Sequence, residues 1–176
     1  MITETKYNFL VQQYKDRVYS YSLFMMKNRM DADDVAQEVL IRIWKNINKF
    51  NMLAAKTWIM KTTHNLCIDY LRRRKSDSEN NPYSIEDVQD FIENKEEENP
   101  VVNLENKITE IQVEEAIRTL PENLRSVFVL YEIYKMKYRE IGKTLDIPIN
   151  SVKVNLFRAR KQLQSQLSEI KFQEAI

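Results

Sequence analysis

Tyr138-Arg139-Glu140-Ile141-Gly142-Lys143-Thr144-Leu145-Asp146-Ile147-Pro148-Ile149-Asn150-Ser151-Val152-Lys153-Val154-Asn155-Leu156-Phe157-Arg158-Ala159-Arg160 is the stretch on which the fold turns. Tyr138 to Leu145 reads as one short amphipathic helix and Asn150 to about Ile170 as a longer one, with only Asp146-Ile147-Pro148-Ile149 between them. Pro148 has no amide proton to continue the first helix, and Asn150 or Ser151 offers a side-chain oxygen to cap the second. A four-residue break between two amphipathic helices is what a helix-turn-helix requires.

The second helix sorts its residues cleanly. Val152, Leu156, Ala159, Leu163, Leu167 and Ile170 form an apolar stripe, and the other face presents Lys153, Asn155, Arg158, Arg160 and Lys161 with Phe157 beside them. A basic face at the amino-terminal end of such a helix suits a major groove, where Arg and Lys reach guanine edges or phosphates and Asn pairs with adenine. A solvated basic face would have the same composition. The tight turn before it favours nucleic acid.

Working outward, the 176-residue chain is long enough for one ordinary domain or two small ones, and its 43% hydrophobic content is enough for real cores. Glycine occurs once, at Gly142, so glycine-rich phosphate loops, dinucleotide fingerprints and primed β-hairpins have little to build on. An all-α fold is expected. A single cysteine, Cys67, and a single histidine, His64, exclude a disulfide framework and a Cys/His zinc cluster, so neither metal nor cofactor is expected. A reduced, cytoplasmic setting follows. Met1 to Tyr7 has no apolar signal-peptide core, and runs such as Val127 to Tyr131 are far too short for a membrane helix, so no membrane insertion is expected. An enzyme is disfavoured because carboxylates such as Asp33 and Asp34 have no catalytic companions.

Net charge is only +1, yet residues 76–106 hold ten acids and one base, a local −9 that leaves +10 for the rest. This segment also contains Pro82, Pro100 and scattered apolar residues at Ile85, Val88, Phe91 and Ile92, and it reads as an acidic flexible linker with at most a short helical turn. It separates two basic lobes, 1–75 and 107–176. In the first lobe, Leu10, Tyr14, Val18, Tyr21 and Met25 mark one helix and Val35, Val39, Ile43, Trp44 and Ile47 a second. A third runs from about Thr57 to Arg74 with Ile59, Thr63, Leu66 and Tyr70 on its stripe; Trp58 and Cys67 read as core residues. In the second lobe, Ile111, Ile117 and Leu120 form a helix that Pro121 ends, and Leu124, Val127, Phe128 and Tyr131 continue with another.

From Leu120-Pro121-Glu122-Asn123-Leu124-Arg125 through Tyr138-Arg139-Glu140-Ile141 to Arg158-Ala159-Arg160, about fifty residues resemble region four of bacterial σ factors of the σ70 family, extracytoplasmic-function (ECF) type. The resemblance implies binding to the −35 promoter element through Lys153, Val154, Phe157 and Arg158, with Asn155 and Arg160 as neighbours able to touch phosphate. Two positions depart from the family pattern. Gly142 stands where alanine is common and Asp146 where glycine is common, so a left-handed turn residue is expected at a position where Asp is less comfortable than Gly.

Asp31-Ala32-Asp33-Asp34-Val35-Ala36-Gln37-Glu38-Val39, running to Ile43-Trp44, resembles the region-two helix that docks on the coiled coil of the polymerase β′ subunit. Asp34, Gln37, Glu38, Ile41 and Trp44 are the implied docking residues; Asp31 and Asp33 equally suit helix capping and the helix dipole. Thr57-Trp58-Ile59 through Lys75 is similar to the −10-reading segment, which implies roles for Asn65, Asp69, Arg72, Arg73, Arg74 and Lys75, with the Phe50 to Thr57 loop completing a pocket for an unstacked base. The partners so implied are core RNA polymerase (β′ coiled coil and β subunit), promoter DNA and an anti-σ factor. The linker is either a solvated tether or a segment that threads polymerase channels. Rival readings are a stand-alone helix-turn-helix transcriptional regulator, which leaves the β′-docking-like helix unexplained, and an all-α protein adaptor, which makes both resemblances coincidental.

Overall fold

The computed structural model describes residues 2–49, 51–80 and 102–174, and among these every regular element is helical. The helices are α1 (Ile2–Met26), α2 (Arg29–Asn46), α3 (Ala55–Asn80), α4 (Val102–Thr119), α5 (Glu122–Phe128), α6 (Tyr138–Leu145) and α7 (Ile149–Glu174). A 3₁₀ turn, Met52–Ala54, leads into α3, and a π-helical turn, Val129–Ile133, follows α5. The expected all-α architecture of two helical lobes is what the chain forms.

The apolar stripes face inward. Leu10, Tyr14, Val18, Tyr21 and Met25 of α1 pack against Val35, Val39, Ile43 and Ile47 at α2 and against Ile59, Leu66 and Cys67 of α3. Burial of roughly 25 cal/mol per Å² of apolar surface is the main stabilising term for such a three-helix lobe. Trp58 is half-buried against this core. Cys67 is fully buried, and burial pushes its thiol up to about 12, so it is an inert small core residue. In the second lobe Ile117, Leu120, Leu124, Val127, Leu130 and Ile141 meet Val152, Leu156, Ala159 and Leu163 of α7.

Several boundaries differ from expectation. The helices reach into the acidic segment: α3 continues through Asn80, because no proline or glycine occurs before Pro82, and α4 starts at Val102. Residues 81–101, including Ile85, Val88, Phe91 and Ile92, lie outside the described residues, as does Phe50. Helix α7 begins at Ile149, with Val152 N donating to Pro148 O at 3.1 Å, so Asn150 and Ser151 occupy its first turn and do not cap it. Helix α2 is capped by Asn28, whose side chain accepts from Asp31 N at 3.0 Å; the aspartates are not its caps.

The lobes also pack on each other, which patterning within single helices gives no means of seeing. Arg125, nearly buried, donates to Phe24 O at 3.4 Å and Arg118 O at 3.2 Å, and so serves the carboxy-terminal turns of α1 and α4 together. Those carbonyls carry the negative end of the helix dipole, a suitable partner for a buried guanidinium. Tyr134 Oη donates to Arg17 O at 3.1 Å, and its ring lies 6.2 Å from that of the fully buried Tyr21. Tyr21 Oη shares a 2.8 Å hydrogen bond with His64 Nδ1. Two ion pairs complete the seam: Lys56 with Glu140 at 3.3 Å, and Lys61 with Asp146 at 2.7 Å.

Candidate nucleic-acid interface

The turn between α6 and α7 is set by two residues. Asp146 sits in the left-handed region at φ 54° and ψ 43°, where its short polar side chain is better tolerated than most and glycine would be unstrained. Its amide donates to Gly142 O, and Ile147 N reaches the same carbonyl at 3.1 Å, so the helix end is satisfied by a tight reversal. A Cβ at position 142 would lie 2.9 Å from Ile147 O, which explains why glycine occupies that place. At the other end of α6, the Glu140 carboxylate accepts from Lys137 N at 2.7 Å. Burial acts to raise the Glu140 carboxyl, but that amide and Lys56 outweigh it and hold the group below its ordinary value.

This geometry buries Val152, Leu156, Ala159 and Leu163 and turns Lys153, Val154, Phe157 and Arg158 outward, with Asn155 half-buried. Phe157 is 66% exposed and Val154 46%, apolar groups standing in water among cations. Such a mixture fits a nucleic-acid edge, where apolar side chains meet thymine methyls and cations meet phosphates or guanine. Arg160 is placed differently. Its Nε donates to Glu132 Oε1 at 2.9 Å and its guanidinium lies 5.3 Å from the Tyr131 ring centroid. Tyr131 stacks on Tyr138 at 5.1 Å, and Lys153 Nζ stands 6.0 Å over the Tyr138 ring. Arg160 is thus committed to a brace between α7 and the π-helical turn.

In the first lobe, Asp34, Gln37, Glu38, Ile41 and Arg42 of α2 face Leu66, Asp69, Tyr70 and Arg73 of α3 across an open groove of about 320 Å³. Four of the five expected docking residues therefore share one site with two of the expected −10 residues. The fifth, Trp44, lies outside the groove and is half exposed, edge-on to Tyr7 with ring centroids 5.0 Å apart. Glu38 pairs with Arg42 at 2.7 Å along the helix. Asn65 is exposed on α3, and Arg72, Arg73, Arg74 and Lys75 form an exposed basic run beyond it. Arg74 is partly engaged, at 3.2 Å from Asp31, which accounts for Asp31 better than capping does.

Residues at the seam between lobes were missed by pattern reading. Lys61 carried a signal: it lies one helical turn before Asn65, which lies one turn before Asp69, so the three share a face. His64 carried none, because neither its burial nor the Tyr21 partner is encoded nearby. Burial lowers its pKa to about 4 and keeps the imidazole neutral. Among the described residues, no group of His, Cys, Asp and Glu could hold a metal ion.

A tight-turned basic helix on one lobe and a charged groove beside a basic helix on the other define a two-lobe, helix-turn-helix DNA-binding protein. The Sigma-70 region 2 family matches residues 10–76 and the Sigma-70, region 4 family matches residues 110–163. The chain is 33% identical over 171 residues to the ECF RNA polymerase sigma factor SigW of Bacillus subtilis, a match covering 92% of this chain and 88% of that one. Among solved structures, the sigma factor RpoE in complex with the anti-sigma factor NepR from Bartonella quintana is similar at TM-score 0.76 and 16% identity, covering 92% of this chain and 96% of that one. CnrH in complex with the cytosolic domain of CnrY is similar at TM-score 0.64 and 18% identity, covering 93% and 88%. The chain belongs to the ECF family of RNA polymerase σ factors. It is an alternative σ factor that directs promoter recognition and transcription initiation, not an enzyme, and the match of the first lobe to region 2 disfavours a stand-alone regulator.

Proposed function

We propose a division of labour between the lobes. Residues 1–75 dock on core polymerase through Asp34, Gln37, Glu38, Ile41 and Trp44 and engage the −10 element through Asn65, Asp69, Arg72, Arg73, Arg74 and Lys75. Residues 107–176 hold the −35 element through Lys153, Val154, Asn155, Phe157 and Arg158, with Arg160 in support. The observation that carries this reading is the groove in which Asp34, Gln37, Glu38 and Ile41 adjoin Asp69 and Arg73. An acidic and partly apolar surface beside a basic one suits a protein partner and a nucleic acid bound side by side.

The acidic segment between the lobes tethers them and raises the effective concentration of the second DNA contact. An anti-σ factor belongs to the reading as well, as NepR does for the Bartonella quintana RpoE. A cytoplasmic location accords with the lone, buried Cys67 and with the finding that no helix among the described residues is long and apolar enough to cross a membrane. The test is reconstitution: the purified chain with bacterial core polymerase initiates at discrete sites on genomic DNA. Asn65→Ala impairs promoter opening with polymerase binding intact, and Glu38→Lys weakens polymerase binding itself. Loss of folding stability alone in both variants would overturn the site assignment.

A further inference from the structure

Lys153 and Arg158 both turn outward from α7, but they differ in what can aim them. A guanidinium is a planar fork whose donors set their own geometry against a guanine edge, whereas an ammonium is a point charge on a flexible four-carbon stem. Lysine brings charge to a groove without direction. Confining it to one rotamer costs side-chain entropy, so a lysine that reads one base pair needs support from elsewhere in the fold.

That support is present. Tyr138, the first residue of α6, and Tyr131, in the π-helical turn, stack with ring centroids 5.1 Å apart and planes 21° from parallel. Lys153 Nζ stands 6.0 Å over the Tyr138 ring, and the Arg160 guanidinium stands 5.3 Å over the Tyr131 ring. Lys153 and Arg160 lie about two turns apart, so they project from the same side of α7. The helix therefore rests two cations on a pair of rings supplied by other elements. Each ring has its own anchorage. The bond from Lys137 N to Glu140 closes the first turn of α6 at 2.7 Å, and Glu132 holds Arg160 beside Tyr131 at 2.9 Å. Arg160 steadies the far ring, while the near ring meets the cation that faces DNA.

We infer that Tyr138 is a positioning residue for −35 recognition: its ring, backed by Tyr131, aims Lys153 at one base pair and so sets the preference of the recognition helix at that step. The electron-rich ring face attracts the ammonium in the free chain, and the rotamer is selected before DNA arrives. Arg158 projects about 140° further round the helix and orients itself by its own fork, which makes it the reference for the test. The inference rests on the assignment of α7 to the −35 element.

The test uses holoenzyme reconstituted from the full chain. Its probes are a promoter duplex from a mapped start site and every single base-pair change through the −35 element of that duplex. Competition binding gives the preference at each position, and Lys153→Ala identifies the position that Lys153 reads. Tyr138→Leu removes the ring and keeps an apolar side chain, Tyr138→Phe keeps the ring, and circular dichroism confirms that each variant is folded. Expected for Tyr138→Leu is a loss of discrimination of about two- to fivefold at the Lys153 position, the scale of an exposed cation–π contact. Discrimination at the position identified by Arg158→Ala stays unchanged. Tyr138→Phe retains the full preference, and Tyr138→Leu adds nothing in a chain that already carries Lys153→Ala. Unchanged discrimination in Tyr138→Leu overturns the proposal. So does an even loss at all positions, which marks a merely structural role, or an undiminished effect in the Lys153→Ala background, which marks direct contact of Tyr138 with DNA. If Lys153→Ala lowers affinity evenly at every position, Lys153 binds phosphate, and the aiming role falls while the −35 assignment stands. If Lys153→Ala changes neither affinity nor preference, the −35 assignment of Lys153 falls with it.

Discussion

Arg158 and Arg160 stand two residues apart on α7, and the sequence treats them alike. Their surroundings do not. Arg158 points outward beside Phe157, while Arg160 is tied to Glu132 and laid over Tyr131. Arg158→Ala is expected to weaken −35 binding by about 1–3 kcal/mol in a sequence-dependent way, measured with matched and mutated duplexes. Arg160→Ala is expected to act mainly on fold stability, by up to about 1 kcal/mol for a surface pair, and to leave base preference unchanged. His64 gives a second contrast. Its folded pKa of about 4 lies below the ordinary 6.5, so the unfolded chain takes up the proton first as pH falls. The stability of the neutral, buried form is fully present above pH 6.5 and declines through the window down to about 4, by an amount on the order of 3 kcal/mol. Urea denaturation at pH 7 and pH 4.5 should reveal this loss, and His64→Gln should diminish its pH dependence. At this scale the sequence revealed residue types on exposed faces, including Lys153 and Arg158, because helical period alone puts them there. It could not reveal that Arg160 is spoken for, since Glu132 lies 28 positions away.

The helices were readable where apolar spacing was regular. Leu10, Tyr14, Val18, Tyr21 and Met25 predict α1, and all five are buried. Reading failed where local chemistry decides a boundary. Asp31 and Asp33 look like caps for α2, but Asn28 lies in extended geometry and accepts the Asp31 amide. Asn28→Ala should cost about 1 kcal/mol in a thermal or urea melt. It should also loosen the first turn of the helix that carries Asp34, so polymerase binding should weaken slightly while the −35 contact does not. The π-helical turn was equally hidden. Val127 to Tyr131 is a continuous apolar run with no phase to read, and only in the fold does Tyr134 N reach back to Val129 O at 3.1 Å. The extra residue in that turn accompanies the placement of Tyr131 beside Arg160 and Tyr134 beside Tyr21.

Across the whole molecule, the sequence announced two lobes through the charge contrast of residues 76–106 but said nothing about how they meet. Besides the Tyr21–Tyr134 ring contact, the seam has a guanidinium on helix-end carbonyls, a phenol on a backbone oxygen and two ion pairs, and none of these has a periodic signature. Its polar links have a consequence for the tether. Surface ion pairs contribute little each, so the lobes stay together partly because the chain joins them. The 21 residues from 81 to 101 have a contour length of at most about 75 Å. Under the proposed division of labour, that reach, added to the dimensions of the lobes, is enough for one chain to hold a −10 and a −35 element on the order of 85 Å apart, about 25 base pairs at about 3.4 Å per step. A specific protease site inserted between Lys95 and Glu96 should therefore leave initiation by the uncut holoenzyme nearly unchanged. Cleavage should lower it by about 10²- to 10⁴-fold at micromolar protein, because the second contact loses its millimolar effective concentration. A loss smaller than about tenfold would mean that polymerase alone holds each lobe in place and that the acidic segment acts by something other than tethering.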